Sequence, residues 1–280
     1  MRILCLHGHG TGPEVMQYQM SGLSQKADPS WEFHYLGGEH ECPPAPGIDA
    51  AFPGPYLCYT RTFDSGTEAG AHTMIDEVIE EEGPFEGVFC FSQGSATLVS
   101  YLLEWVEKDP TEPLPFRFAI ICSPTIPLAG DPAYCQSIIN SIDSADEARI
   151  RSSKDEEIAQ LTGAVHTAIK SLVTTIDKTE GITRQPRSFF LDRDLSDVPW
   201  ALHPELCSQR ICLPSLHVSS KQDLYTQEES AIVRSFFQSG TTRVFEHSAG
   251  HDIPRSGSEV GQLLSAMEWV ASQSLLPTHS

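Results

Sequence analysis

Apolar positions along this chain fall into short runs separated by helical stretches. Residues 2–6, 87–91 and 116–122 are nearly continuous runs of Ile, Leu, Val, Phe, Ala and Cys, and Ser215-Leu216-His217-Val218-Ser219 reads as a further buried strand. That is the signature of strands buried on both faces. Residues 31–36 alternate well enough for another strand, and 243–246 form a short one near the end of the chain. Between them, residues 13–26, 67–82, 95–108, 227–238 and 258–272 have helical patterning, with an acidic outer face on 67–82. Strands alternating with helices predict a mostly parallel, doubly wound sheet covered on both faces.

Two stretches break the alternation. Residues 37–64 are rich in Pro, Gly and aromatic residues and read as loop. Residues 126–210 carry one long amphipathic segment, about 155–175, flanked by Pro and Ser. We expect 1–280 to be a single domain and 126–210 to be an inserted helical lid over the carboxyl ends of the strands, where ligands of such sheets bind.

Composition narrows the partners. The 280 residues include 40% apolar types, enough for a substantial core. Against 38 acidic residues stand 18 basic ones, a net charge of −20. That balance disfavours nucleic acid and anionic membrane surfaces. It also disfavours an acidic carrier protein unless a local patch such as Arg184, Arg187 and Arg193 compensates. No apolar run is long enough to span a membrane, and a chain that opens directly on a strand is expected to carry no signal peptide. Of the eight cysteines, Cys5, Cys90 and Cys122 fall in expected strands, and none forms a CxxC pair at metal-ligand spacing. Free thiols in a reducing, cytoplasmic compartment are the expectation, with no metal and no cofactor.

The chemistry concentrates at Val88-Phe89-Cys90-Phe91-Ser92-Gln93-Gly94-Ser95-Ala96. A buried strand ends at a Ser, a Gly follows two residues later, and a helix begins. A hydroxyl at the tip of such a strand–turn–helix elbow is a nucleophile in search of a base. Chain order then calls for an acid followed by a His. Asp223 lies just beyond the 215–219 strand, and His251 lies 28 residues later, between a Gly and a Pro. Asp192, Asp194 and Asp197 crowd a loop of the insertion rather than the end of a late strand. His247 sits at a strand end and His217 within an apolar strand, so both suit structural roles better. Cys90, two residues before the tip, stands where small Gly is usual and reads as packing. After the first strand, His7-Gly8-His9-Gly10-Thr11-Gly12 can aim a backbone N–H at a developing oxyanion. We assign the two donors to the backbone N–H groups of His9 and Gln93, roles in which their side chains need not matter.

The segments Ile3-Leu4-Cys5-Leu6-His7-Gly8, Phe52-Pro53-Gly54-Pro55-Tyr56, Phe91-Ser92-Gln93-Gly94-Ser95-Ala96, Lys221-Gln222-Asp223 and Gly250-His251-Asp252-Ile253-Pro254, in this order, resemble the fungal FSH-type serine hydrolases of the α/β-hydrolase superfamily. The resemblance implies an α/β-hydrolase fold and esterase or thioesterase chemistry by Ser92, His251 and Asp223. Several members of that family release or trim acyl products of fungal polyketide pathways. The Pro-rich loop is also a family feature, and Tyr56, Tyr59 and Phe63 within it are expected to help wall an acyl pocket, the alternative being that they pin the loop to the body. The expected substrate is a small-molecule acyl ester or acyl thioester, free or bound to a carrier protein. Its acyl acceptor is left open among water, an alcohol and an amine. Cys90 and the long 126–210 insertion depart from the family's pattern. They keep a second reading open: a non-hydrolytic cyclase or product-shaping binding protein on the same fold.

Overall fold

The computed structural model describes residues 1–274. Strands β1 (Arg2–Leu6), β2 (Glu32–Leu36), β3 (His40–Glu41), β4 (Leu57–Cys58), β5 (Gly87–Phe91), β6 (Phe118–Cys122), β7 (Ser215–Ser220) and β8 (Thr242–His247) alternate with helices. In the first half these are α1 (Pro13–Gln19), α2 (Ser21–Ser24), α3 (Ser65–Glu82) and α4 (Gln93–Lys108). Between β6 and β7 lie α5 (Pro132–Ile139), α6 (Ser144–Ser152), α7 (Asp155–Ile158), α8 (Gly163–Thr183) and α9 (Arg187–Leu191). Helices α10 (Gln227–Arg234) and α11 (Gly257–Gln273) complete the described residues.

Six strands form one sheet in the order β2-β1-β5-β6-β7-β8, and every pair is parallel. The period-2 alternation of side chains divides the core in two. Leu4, Leu6, Val88, Cys90, Ala119 and Ile121 face α3, α4 and α10. Ile3, Cys5, Phe89, Phe91, Phe118 and Ile120 face α1 and α11. Burial on both faces accounts for the unbroken apolar runs in the sequence. Cys90 lies wholly inside the first layer and donates its S–H to the Ile120 carbonyl at 3.3 Å. Burial pushes its thiol up to about 12. No helix among the described residues is long and apolar enough to cross a membrane.

Two local expectations are corrected. The stretch 37–64 is not wholly loop: β3 and β4 pair antiparallel within it. The segment read as one helix over 155–175 is broken between α7 and α8. Helix α7 ends at Ile158, and Gly163, the first residue of α8, enters that helix at φ +57°, a left-handed conformation foreign to a helix interior. Helix α8 then continues to Thr183, burying Val165, Ile169, Leu172, Val173 and Ile176 on one face. That i, i+3, i+4, i+7 stripe joins the α3/α4 layer of the core.

The turn from β5 into α4 is the tightest point of the fold. Ser92 has φ 52° and ψ −116°, a region disfavoured for any residue with a Cβ. Gly94 runs against the loop after β1 and donates its N–H to the His7 carbonyl at 3.1 Å. A Cβ on Gly94 would lie 2.7 Å from the carbonyl oxygens of both Leu6 and His7. Backbone cannot retreat as a flexible side chain would. Gly94→Ala should therefore destabilise the protein by about 1–3 kcal/mol, the usual cost of overpacking. Urea unfolding followed by circular dichroism measures this, and wild-type stability in the variant would refute the tight approach.

Candidate active site

Asp223 leaves β7 in a turn that satisfies its whole carboxylate. Oδ1 accepts the N–H groups of Tyr225 at 2.9 Å and Thr226 at 3.2 Å. Oδ2 accepts the Thr226 hydroxyl at 2.7 Å and faces His251 Nδ1 at 2.8 Å. Burial alone would raise its pKa. The hydrogen bond and charge of His251, with the Thr226 and Tyr225 donors, outweigh burial and hold the carboxyl well below the usual range. An ionised Asp223 fixes the His251 proton on Nδ1 and leaves Nε2 as an acceptor. Nε2 lies 3.0 Å from Ser92 Oγ. The imidazole is held between the Phe91 ring at 4.9 Å and the Tyr225 ring at 5.2 Å.

The loop carrying His251 is braced from both sides. His247 Nδ1 accepts the Ala249 N–H at 3.1 Å, while Asp252 accepts from Gln19 at 3.0 Å and pairs with Arg255 at 2.9 Å. His217 is sealed in β7 beside Ser215 and Phe237, where burial pulls its pKa down to about 3 and keeps it neutral. Asp192 and Asp194 pair with Arg151 at 3.7 and 3.4 Å on the insertion.

His9 and Gln93 line the same cavity as Ser92. Neither of their backbone N–H groups donates to a protein acceptor among the described residues. His7 braces the loop below them. Its ring lies 2.7 Å from the Gly8 carbonyl on Nδ1, and its Nε2 accepts the Gly38 N–H at 3.0 Å. Burial lowers its pKa to about 4, so it stays neutral. The Gln93 side chain is not idle, contrary to the sequence reading. Its Oε1 accepts the Tyr59 N–H at 3.2 Å, and its Nε2 donates to the carbonyl and hydroxyl oxygens of Thr60 at 3.3 and 3.0 Å.

This clamp explains a second correction. Tyr59 does not wall a pocket: it is 2% exposed, and its hydroxyl accepts the His7 N–H at 2.8 Å and donates to the Leu36 carbonyl at 3.1 Å. Tyr56 is also outside the cavity lining, its hydroxyl tied to the Phe52 carbonyl at 2.6 Å. Both tyrosines spend their polar ends on holding the loop. Phe63 does line the cavity, packed against Phe190 at 5.5 Å.

The remaining wall comes from Ile126 and Leu128 after β6 and from Leu172, Ile176 and Ile182 on α8. Nothing in the sequence linked these to Ser92, because their apolar spacing reads equally as core. The cavity is narrow, about 60 Å³. The basic patch considered for a carrier is largely spent. Arg187 pairs with Asp155 and Asp177, and Arg193 lies over the Phe189 ring at 4.3 Å with its Nη1 on the Thr62 carbonyl. Sequence spacing also hid a cluster of His9, Cys42 and Cys58, whose ligand atoms all lie within 4.8 Å of one another.

This arrangement can take a proton from Ser92 through an oriented imidazole and present two N–H groups without protein acceptors among the described residues. The comparisons agree with that chemistry. The family described as "Serine hydrolase (FSH1)" matches residues 1–263. The serine hydrolase cnsH of Penicillium expansum is 48% identical over 232 residues, covering 82% of this chain and 96% of that protein. The esterase alnB of Emericella nidulans is 32% identical over 289 residues, covering 98% and 97%. Among solved structures, the Rhodococcus esterase RhEst1 superposes with a TM-score of 0.52 at 14% identity, over 97% of this chain and 90% of that one. That likeness establishes the α/β-hydrolase fold.

The depressed Asp223 pKa has a consequence for stability. A carboxyl whose folded pKa lies below its unfolded value of about 3.9 contributes stability above that value and loses it as pH falls toward the folded pKa. Asp223→Asn should therefore be less stable than wild type at pH 7, and the gap should close as pH drops below about 4. Urea unfolding of both proteins across that window tests the sign, and a gap that stays constant would contradict it.

Proposed function

The chain belongs to the FSH1 serine hydrolase family, and on that premise we propose that it hydrolyses an ester or thioester of a hydrophobic acyl group through a Ser92 acyl-enzyme. The observation that carries this reading is the unbroken hydrogen-bond chain from Ser92 Oγ through His251 to Asp223. His251 Nε2 takes the Ser92 proton as Oγ attacks the acyl carbonyl. The oxyanion is received by the N–H groups of His9 and Gln93. His251, now protonated and stabilised by Asp223, gives its proton to the leaving alcohol or thiol. Water then enters, loses a proton to the same nitrogen and releases the acid.

The wall supports a hydrophobic acyl group. Thr179 and Thr183 face the cavity, but their hydroxyls donate to the carbonyls of Thr175 and Thr179 one turn back. Little polar capacity is left for a substrate. A pocket for a drug-sized ligand is about 300–1,000 Å³, well above the 60 Å³ here. Residues 126–210 therefore act as a lid whose α8 must shift to admit substrate. Lys178 ties α8 to Glu228 and Glu229 at 2.9 and 3.3 Å, and this tie would set the ease of opening. The finer assignment, release or trimming of a polyketide acyl product, rests on the family resemblance and this apolar wall. With Arg187 and Arg193 engaged, a free small-molecule ester fits better than one on an acidic carrier. A reducing, cytoplasmic compartment suits five thiols buried in the core. Cys90, packed against the Ile120 carbonyl, lends no support to the non-hydrolytic reading.

Intact-mass labelling with a fluorophosphonate should give one adduct on wild type and none on Ser92→Ala, with hydrolysis in the variant lower by on the order of 10⁴–10⁶. Persistent turnover in Ser92→Ala would overturn the mechanism. Ile176→Trp should cut kcat/KM for octanoyl esters about tenfold more than for acetyl esters, because the added bulk occupies the acyl wall. An equal loss for both substrates would place the acyl chain elsewhere.

A further inference from the structure

We propose that His9, Cys42 and Cys58 form a binding site for a soft divalent cation, Zn²⁺, that bridges the oxyanion loop to the β3–β4 hairpin. Three elements converge there. His9 stands in the loop after β1, Cys42 just beyond β3 and Cys58 in β4. The hairpin register brings the cysteines together: His40 pairs with Cys58, and the Cys42 N–H donates to the Tyr56 carbonyl at 2.9 Å. Cys42 and Cys58 are therefore diagonal neighbours on one face of the hairpin.

The three ligand atoms lie within 4.8 Å of one another. Around tetrahedral zinc, with Zn–S near 2.3 Å and Zn–N near 2.05 Å, donor atoms sit about 3.5–3.8 Å apart. A second, independent observation points to a ligand. Both ring nitrogens of His9 are buried and have no hydrogen-bond partner among the described residues. An imidazole so enclosed costs free energy unless something satisfies it. Its plane is fixed by stacking on Phe63 at 5.9 Å. Two thiolates and one imidazole are a soft donor set that selects zinc over magnesium or calcium, and such a set leaves a fourth position for water. Two thiolates neutralise a divalent ion, and the cationic Arg61 near Cys58 favours the thiolate form that a metal needs. Binding exchanges the two thiol protons for the metal and involves no change of oxidation state.

The site is distinct from the Ser92–His251–Asp223 relay but mechanically joined to it. His9 would ligate through its ring, while the same residue lines the cavity over Ser92. Occupancy would pin the loop that the proposed hydrolysis uses. This last consequence rests on the proposed function; the binding itself does not.

The test is titration of chelator-treated, fully reduced protein with Cd²⁺, a spectroscopic stand-in for Zn²⁺, together with metal analysis of Zn²⁺-loaded protein after desalting. Wild type should retain one equivalent of zinc and show a cadmium–thiolate charge-transfer band at one equivalent of Cd²⁺. Cys42→Ser and Cys58→Ser should each lose the band and bind at least about tenfold more weakly, while Cys212→Ser, at an exposed thiol, keeps wild-type binding. Circular dichroism of Cys42→Ser, the less buried of the two positions, guards against simple unfolding. Absence of the band in wild type would overturn the proposal, as would equal metal retention in the Cys42 variant. None of these readouts depends on hydrolysis.

Discussion

Everything in this molecule is arranged around one uncomfortable residue. Ser92 holds a backbone conformation that costs on the order of 1–3 kcal/mol, and such strain persists only where the surroundings leave no alternative. The constraints are specific. The Ser92 N–H donates to the Cys122 carbonyl at 3.0 Å, and the Ser95 hydroxyl reaches the same carbonyl at 3.0 Å. The Ser92 carbonyl accepts the N–H groups of Ser95 and Ala96, and Gly94 is pinned to the loop after β1. Strand β6 and the His7 loop therefore clamp the turn from both sides. Relaxing it would break several buried hydrogen bonds at once, each costing about as much as the strain itself.

The same clamp sets the geometry of the opposite wall. Gln93 follows the strained residue, and its side chain fastens Tyr59 and Thr60. Tyr59 in turn fastens the start of the glycine-rich loop through the His7 N–H. A single chain of contacts thus runs from the elbow to the loop bearing His9. The two N–H groups proposed as oxyanion donors are both rigid before any substrate arrives. Preorganisation of that kind is what makes such donors effective, since no reorganisation is then needed as charge develops.

Much of this was legible in the sequence for a simple reason. Strands buried on both faces write themselves as unbroken apolar runs, and the elbow needs Ser and Gly at fixed spacing. Asp223 and His251 could be ordered because each follows a late strand. What escaped was set by contacts distant along the chain. Tyr59 in a Pro-rich loop reads equally as pocket wall or as a pin for the loop, and only its partners at His7 and Leu36 decide for the buried strut. Gln93 was assigned through its backbone alone, yet its amide clamps Thr60, 33 residues away. Gly163 was visible, but its left-handed backbone at the first residue of α8 was not. Cys42 and Cys58 have no motif spacing because a two-residue strand pair, too short to announce itself, is what aligns them.

The lid proposal and the stability of the core are one question. The face of α8 that buries Leu172 and Ile176 belongs to the main hydrophobic layer and also lines the cavity over Ser92. Exposing either side chain to water would cost about 1.5–3 kcal/mol. A lid with that cost opens rarely unless an apolar ligand replaces what it loses. A hydrophobic acyl chain sliding between α8 and Phe63 would do so, covering the surface that opening uncovers. A polar ester of the same length would not. Selectivity for acyl hydrophobicity would then arise from the equilibrium of the lid as much as from contacts in the pocket. The elbow beneath, held rigid by its clamps, would be the same for every substrate.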